Sequence, residues 1–185
     1  MEEEPKRLKK TEMTPDPEIE LSTPNVTFLF FESIENMKEI KDSLLKGKLQ
    51  AAVVNPELIY HSDQLLVASH KSLYNHKNNL LKTKTPYTEL LYNLFPSKSI
   101  RDSLKTFGAQ DEGTAAIFVL FSEKNELSED IKKSVKGSLV SVDKIVDHRN
   151  LKSIKKIYKI SEDINDEETI LNLILSKMAC KEFLL

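Results

Sequence analysis

The sequence has 185 residues, of which 39% are hydrophobic and 30% are charged, and its net charge is -2. This length suits one domain with its own core, and the balanced charge excludes a globally basic nucleic-acid-binding protein, so that any such contact needs a local basic patch. The single Cys180 cannot form an internal disulfide, which is typical of a reducing compartment. No apolar run approaches the roughly 20 residues of a membrane-spanning helix, and no signal peptide is recognisable. We therefore expect a protein of the cytoplasm and nucleus with no membrane partner.

Residues 1–24 combine many charges, four prolines and few apolar side chains. This composition predicts a disordered tail. The basic cluster within it is either a solvated segment or a nuclear-import or phosphate-contacting segment; it consists of Lys6, Arg7, Lys9 and Lys10. Residues 25–185 are predicted to form the folded domain.

The first half of this domain alternates strand and helix patterns. Residues 26–31 are β-branched and aromatic and predict a strand, and residues 33–45 have a helical apolar stripe that Gly47 can end. Residues 51–54 predict a short apolar strand. A helical stretch follows at residues 62–94, which Pro86 should break.

In the second half, a short helix capped by Ser97 or Ser99 is predicted to end at Gly108. Two strands and three helices complete the prediction: strands at residues 114–121 and 138–142, and helices at residues 128–135, 150–160 and 166–181. One face of about four strands cannot cover this many helices. We therefore predict a single α+β domain with a small mixed, mostly antiparallel sheet surrounded by helices.

The sequence has no specific catalytic motif. It lacks a glycine-rich phosphate loop and paired cysteines, and His70 and His76 would lie about 120° apart on a helix, which is unfavourable for sharing a metal. Cys180 follows an apolar helical pattern and is interpreted as a buried structural thiol. We expect no enzyme activity, metal or cofactor, although an enzyme or small-molecule site assembled from distant segments remains an alternative.

A polar stripe is predicted on the helix that begins near Ser62. Gln64, Ala68, Lys71 and Asn75 fall within an arc of about 60°, while the apolar side chains of Leu65, Leu66 and Leu73 define the core face. The stripe is either a solvated face or a surface for a flat ligand. Cations with two tyrosines follow downstream, a combination that suits single-stranded nucleic acid; they are Lys82, Lys84, Lys98, Arg101, Tyr87 and Tyr92.

The last predicted helix has an unusually wide apolar arc. It spans about 200°, whereas one core contact needs roughly 100° or somewhat more. The surplus predicts burial on two sides, the second being either another segment of this chain or a protein partner. The arc includes Ile170, Leu171, Leu173, Ile174, Leu175 and Met178.

Five motifs in register between Val26 and Lys181 resemble those of the PRPK-binding protein family, the regulatory subunits of the EKC/KEOPS complex. They are Asn55-Pro56-Glu57-Leu58-Ile59 with Gln64, Ala68 and Lys71; Lys82-Thr83-Lys84-Thr85 with Thr88-Glu89-Leu90; Asn93-Leu94-Phe95-Pro96; Ser99-Ile100 with Phe107-Gly108; and Lys155-Lys156-Ile157-Tyr158-Lys159-Ile160. Two departures are Lys84, where the family usually has arginine and its bidentate phosphate geometry, and Phe95 in place of serine.

The resemblance implies a non-enzymatic subunit that binds PRPK, a small atypical kinase, and through it the subunit that installs threonylcarbamoyl on tRNA adenosine. It also implies a role in holding the 3′ CCA end of tRNA. On this basis the kinase-docking candidates are Ile170, Leu173, Ile174 and Met178. The tRNA-binding candidates are Gln64, Lys71, Lys82, Lys84 and Arg101. A protein adaptor that never contacts RNA is the alternative.

Overall fold

The computed structural model describes residues 21–23, 26–121 and 126–183; the rest of the predicted tail lies outside the described residues. The strands are β1 (Leu21–Thr23), β2 (Val26–Glu32), β3 (Ala52–Val54), β4 (Ala116–Leu120) and β5 (Ser138–Val140). The helices are α1 (Met37–Leu45), α2 (Ser62–Lys77), α3 (Pro86–Leu94), α4 (Ile100–Phe107), α5 (Glu126–Ser134), α6 (Ile145–His148), α7 (Leu151–Tyr158) and α8 (Glu167–Cys180). Two short 3₁₀ helices, Pro56–Leu58 and Val142–Lys144, connect them.

The sheet is built around β2, the longest described strand. One edge of β2 pairs with β1 through Val26 to Phe28 and with β5 through Phe30 to Glu32. Its other edge pairs with β4, which in turn pairs with β3. The predicted α+β class is therefore confirmed, and every pairing between described strands is antiparallel. Strand β1, Leu21–Thr23, lies within the segment predicted to be a disordered tail. The sheet therefore begins before residue 25, the predicted start of the folded domain.

Helices cover both faces of this sheet. Since successive strand residues point to opposite faces, Phe28 and Phe30 enter one core while Leu29 and Phe31 enter another. Helices α1 and α5 cover the smaller core, and α2, α3, α4, α7 and α8 contribute to the larger one. Burial on both faces explains why the strands are nearly continuous apolar runs.

Helix α1 begins later than predicted, at Met37. Ser33 has a φ of 52°, in the left-handed region, so the chain cannot continue there as a right-handed helix. Asn36 then connects the start of α1 to the end of α5, because its amide donates to the Ser134 carbonyl at 2.9 Å and accepts from the Lys136 N–H at 2.9 Å.

Breaks in the central helical stretch follow the sequence signals. Thr85 caps α3 by accepting from the Thr88 N–H at 3.1 Å, and Pro86 occupies the first turn, where its missing N–H costs nothing. Ser99 caps α4 in the same way through the Asp102 N–H at 3.2 Å. Pro86 thus marks the start of α3, whereas α2 already ends at Lys77, well before the predicted break.

Candidate functional site

The structure corrects three of the four predicted kinase-docking residues. Ile170, Ile174 and Met178 are each at most 1% exposed and lie in the larger core, where α8 packs against α2 and α7. The apolar arc of α8 is wide because other segments of this chain cover it on two sides. Leu173 alone of the four is partly exposed.

The outer surface of α8 is mostly polar. Leu173 is half-buried at one edge of the core face of α8, Leu171 and Leu175 are half-buried at the opposite edge, and Asn172 between these edges is exposed. Cys180 is exposed as well, so its interpretation as a buried thiol is wrong. The apolar surface that α8 offers to a partner therefore consists of partly covered leucines.

The C-terminal end of α8 is fixed to α3 by a fully buried cation. The Lys181 ammonium donates to the carbonyls of Tyr92 and Phe95, the latter at 3.3 Å, and contacts the face of the Tyr92 ring. These carbonyls belong to the end of α3, where a positive charge is favourable. Burial, together with repulsion from Lys71, lowers the pKa of Lys181 to about 7. Burial raises the pKa of Tyr92 to about 12, with Glu182 adding to the effect.

The predicted polar stripe of α2 is not a solvent-facing surface. Gln64 and Ala68 are fully buried. The Gln64 side-chain amide makes its hydrogen bonds inside the domain, and its oxygen accepts from the N–H groups of Tyr60 at 2.6 Å and His61 at 3.1 Å. Its nitrogen donates to the Tyr158 hydroxyl at 3.1 Å. Gln64 is therefore not an RNA contact, and its side chain caps the N-terminus of α2.

A buried carboxylate that was not among the predicted site residues organises the adjacent loop. Glu89 is fully buried; its Oε1 accepts from the Asn75 amide at 2.9 Å, and its Oε2 accepts from the N–H groups of Lys82 at 3.0 Å and Thr83 at 2.9 Å. The Thr83 hydroxyl adds a fourth bond at 3.0 Å. A buried charge requires such partners, so Glu89 fixes the loop between α2 and α3. The Thr88-Glu89-Leu90 motif was the signal for it in the sequence.

This anchored loop presents two of the predicted RNA-contacting cations. The Thr88 hydroxyl donates to the Thr83 hydroxyl at 2.9 Å, while Lys82 and Lys84 are exposed. Lys71 lies one turn before the Glu89-bound Asn75 on the same face of α2 and is partly exposed.

The other residues predicted to contact RNA do not lie on this loop. Arg101 is exposed on α4, and no hydrogen bond or ion pair between described residues joins it to the loop. Tyr92 is 3% exposed, so its ring is not free to stack on a base, and one face of the partly exposed Tyr87 ring is covered by Phe121, with centroids 5.2 Å apart. Tyr74, which precedes Asn75 and was not predicted, is 63% exposed.

Within the described part of the chain, no group of three or more His, Cys, Asp or Glu side chains is arranged to hold a metal ion. The helices in that same part are all too short or too polar to cross a membrane.

Fold and surface together describe a small α+β domain with a carboxylate-anchored basic loop. Residues 31–182 match the family described as "Kinase binding protein CGI-121", and the chain belongs to this family, which confirms the resemblance found in the sequence. It is 32% identical over 159 residues to the EKC/KEOPS complex subunit TPRKB of Danio rerio, covering 85% of this chain and 91% of the relative. It is 26% identical over 148 residues to the EKC/KEOPS complex subunit CGI121 of Candida glabrata, covering 78% and 83%.

Lys181 should make stability depend on pH. The unfolded chain keeps this proton up to the ordinary pKa of 10.5, whereas the folded chain releases it near 7. Between these values the unfolded state binds more protons, so the free energy of unfolding should rise with pH, by at most about 1.4 kcal/mol per pH unit. Urea unfolding between about pH 7 and pH 9 should show this slope, and Lys181→Met should lack it. Equal slopes for the two proteins would contradict the assignment.

Replacing Glu89 by Gln should loosen the loop that it holds. One of the acceptor positions becomes an amide donor facing N–H groups, so we expect a loss of about 1–3 kcal/mol in the free energy of unfolding. Hydrogen exchange at the Lys82 and Thr83 amides should accelerate more than at α2. Glu112→Gln, at an exposed position outside the helices, is the control and should change neither quantity.

Proposed function

We propose that this chain is a non-catalytic subunit of an EKC/KEOPS complex, which binds a PRPK-type kinase and, through it, the threonylcarbamoyl transferase subunit. The proposal includes recruitment of tRNA by its 3′ CCA end for threonylcarbamoyladenosine modification, in the cytoplasm and nucleus. The observation that carries it is the match of residues 31–182 to a family of kinase-binding proteins. Its relatives in Danio rerio and Candida glabrata are named as subunits of this complex.

The half-buried leucines of α8 support the kinase-docking part. Leu173 lies at one boundary between core and solvent, and Leu171 and Leu175 lie at the boundary on the opposite side of the helix. Partial exposure lets a partner complete the burial of these side chains, at roughly 25 cal/mol for each Å² of apolar surface removed from water. Their backbone is held by α2, α7 and the Lys181 anchor, so docking would not require α8 to reorganise.

The loop held by Glu89 supports the RNA part. Lys82 and Lys84 are exposed cations on a backbone that a buried carboxylate and threonine hydroxyls hold in place. Lys71 adds a third cation, and the exposed ring of Tyr74 is available for stacking on an unpaired base. A fixed group of cations beside an aromatic ring suits a single-stranded end better than a duplex.

Kinase binding should depend on Leu173. Leu173→Glu places a charge where a partner would bury an alkyl group, and we expect at least about tenfold weaker binding of the purified kinase, equivalent to about 1.4 kcal/mol. Isothermal titration calorimetry measures this. Asn172→Glu is the matched control, because it adds the same charge at an exposed neighbouring position.

The comparison requires folded protein, so the thermal unfolding midpoint of each variant is measured beside its affinity. A folded Leu173→Glu protein with unchanged affinity would remove α8 from the kinase interface.

Transfer RNA binding should depend on the loop cations. The double variant Lys71→Glu with Lys84→Glu should bind tRNA at least about tenfold more weakly, and the slope of log K against log salt should fall by about 0.7 for each lost single-strand phosphate contact. Lys152→Glu with Lys156→Glu, two exposed positions of α7, is the charge-matched control.

Titrations with tRNA that has or lacks its CCA end distinguish a subunit that recruits tRNA from a protein adaptor that does not bind RNA. Loss of affinity on removing CCA supports recruitment through the 3′ end. Kinase binding without any salt-dependent tRNA binding would instead make this chain a protein adaptor only.

A further inference from the structure

A groove with a volume of about 1000 Å³ runs along β3, the edge strand of the sheet opposite β1 and β5. The end of α1 and the segment after it form one wall, including Leu44 and Leu49. Helix α3 forms the other wall, where Tyr87 and Leu91 contribute. The groove is thus the space between the two helical layers beyond the last strand.

Backbone groups of the edge strand point into this groove. The Asn55 N–H donates to the Phe107 carbonyl at 2.8 Å, on the side of β3 away from β4. Because backbone groups alternate in direction along a strand, the N–H groups of Val53 and Ala51 point to the same outer side, at residues that are 4% and 6% exposed. An isolated bridge pairs Val54 with Gly108, so the segment around Gly108 already occupies the outer edge at Val54 and Asn55, and the open part of the edge is Ala51 to Val53. Among the described residues, none pairs as a strand with this outer edge.

Unpaired donors and acceptors at a sheet edge select a particular kind of occupant. A free strand edge is a template for another extended chain, which supplies matching N–H and C=O groups and places alternate side chains on either side. The volume is also at the upper limit of pockets for small molecules, which are typically about 300–1,000 Å³. An extended peptide therefore fits the groove better than a compact ligand.

A positive charge at the rim of the groove adds a second requirement for the occupant. Lys41 is paired with Asp111, whereas the exposed Lys105 of α4 has no ion pair with any residue in the described part of the chain. An acidic side chain of the occupant would meet Lys105 at the rim. The apolar walls would take the side chains that alternate with it.

We propose that this groove binds an extended segment of a protein partner, which adds a strand beside β3, packs alternate apolar side chains between α1 and α3, and pairs an acidic residue with Lys105. The site is separate from the α8 leucines, and it does not rest on the proposed kinase or tRNA contacts.

The test begins with seven-residue peptides selected from a display library against the immobilised full-length chain. The best peptide is synthesised and titrated against the labelled protein, with hydrogen exchange followed by NMR. We expect alternating apolar residues with an Asp or Glu, and at least tenfold slower exchange at the Val53 and Ala51 amides in the complex. Selected peptides that leave these two amides unprotected would overturn the proposal.

Two controls separate strand addition from nonspecific apolar binding. N-methylation of every second peptide residue should abolish binding in one register and leave it within about twofold in the other, since only one edge of the peptide faces β3. Equal effects in both registers would contradict strand addition. Lys105→Glu should weaken binding at least fivefold, and a peptide with its acidic residue changed to Lys should restore it; no restoration would remove Lys105 from the site.

The peptide titration is repeated with the Leu173→Glu protein and with the protein carrying Lys71→Glu and Lys84→Glu. Unchanged peptide affinity in both supports an independent groove. Loss of peptide binding in either folded variant would show that the groove is part of the surface changed there and would overturn its independence.

Discussion

The buried hydroxyl of Tyr158 is the contact on which the larger core depends. It donates to the Leu94 carbonyl at 2.6 Å, at the end of α3, and accepts from the Gln64 amide at 3.1 Å, in the first turn of α2. Burial raises the pKa of this hydroxyl well above its ordinary value, so it remains a donor. Since buried polar groups are costly without partners, this pair determines how α2, α3 and α7 meet. The apolar side chains around the Tyr158 hydroxyl pack between helices whose relative positions these two hydrogen bonds set.

Glu89 plays the corresponding role toward the surface. Four donors converge on its carboxylate, from α2 through Asn75 and from the loop through Lys82 and Thr83. Removing any donor would leave a buried charge less compensated, so the loop conformation is coupled to the packing of α2 on α3. The backbone that carries the exposed lysines is thereby held in place, which lowers the backbone entropy that a partner must remove on binding.

Local signals predicted the elements well, whereas they failed to predict which helix faces are exposed. Apolar runs identified β2 and β4, and Pro86 and Ser99 marked helix starts, because these depend on the adjacent backbone. A helical wheel gives angles between residues on one helix but no information on what covers each side. Gln64 is therefore predicted on a surface stripe from its polarity, although its amide has buried partners. For the wide apolar arc of α8, the sequence leaves both a partner and another segment of this chain open, and in the structure α2 and α7 pack against it. Strand β1 has only three residues, too few for any periodicity.

Three buried polar side chains connect the two surfaces for which function is proposed. Gln64 fixes the start of α2, Glu89 joins α2 to the basic loop, and Lys181 ties the end of α8 to the last turn of α3. The partly exposed leucines of α8 and the loop cations are consequently both held in position by the same pair of helices, α2 and α3. A partner bound at α8 and a nucleic acid bound at the loop would then be held at a fixed mutual distance and orientation. That rigidity is what the proposed non-catalytic subunit would contribute, because positioning two partners makes their reaction effectively intramolecular.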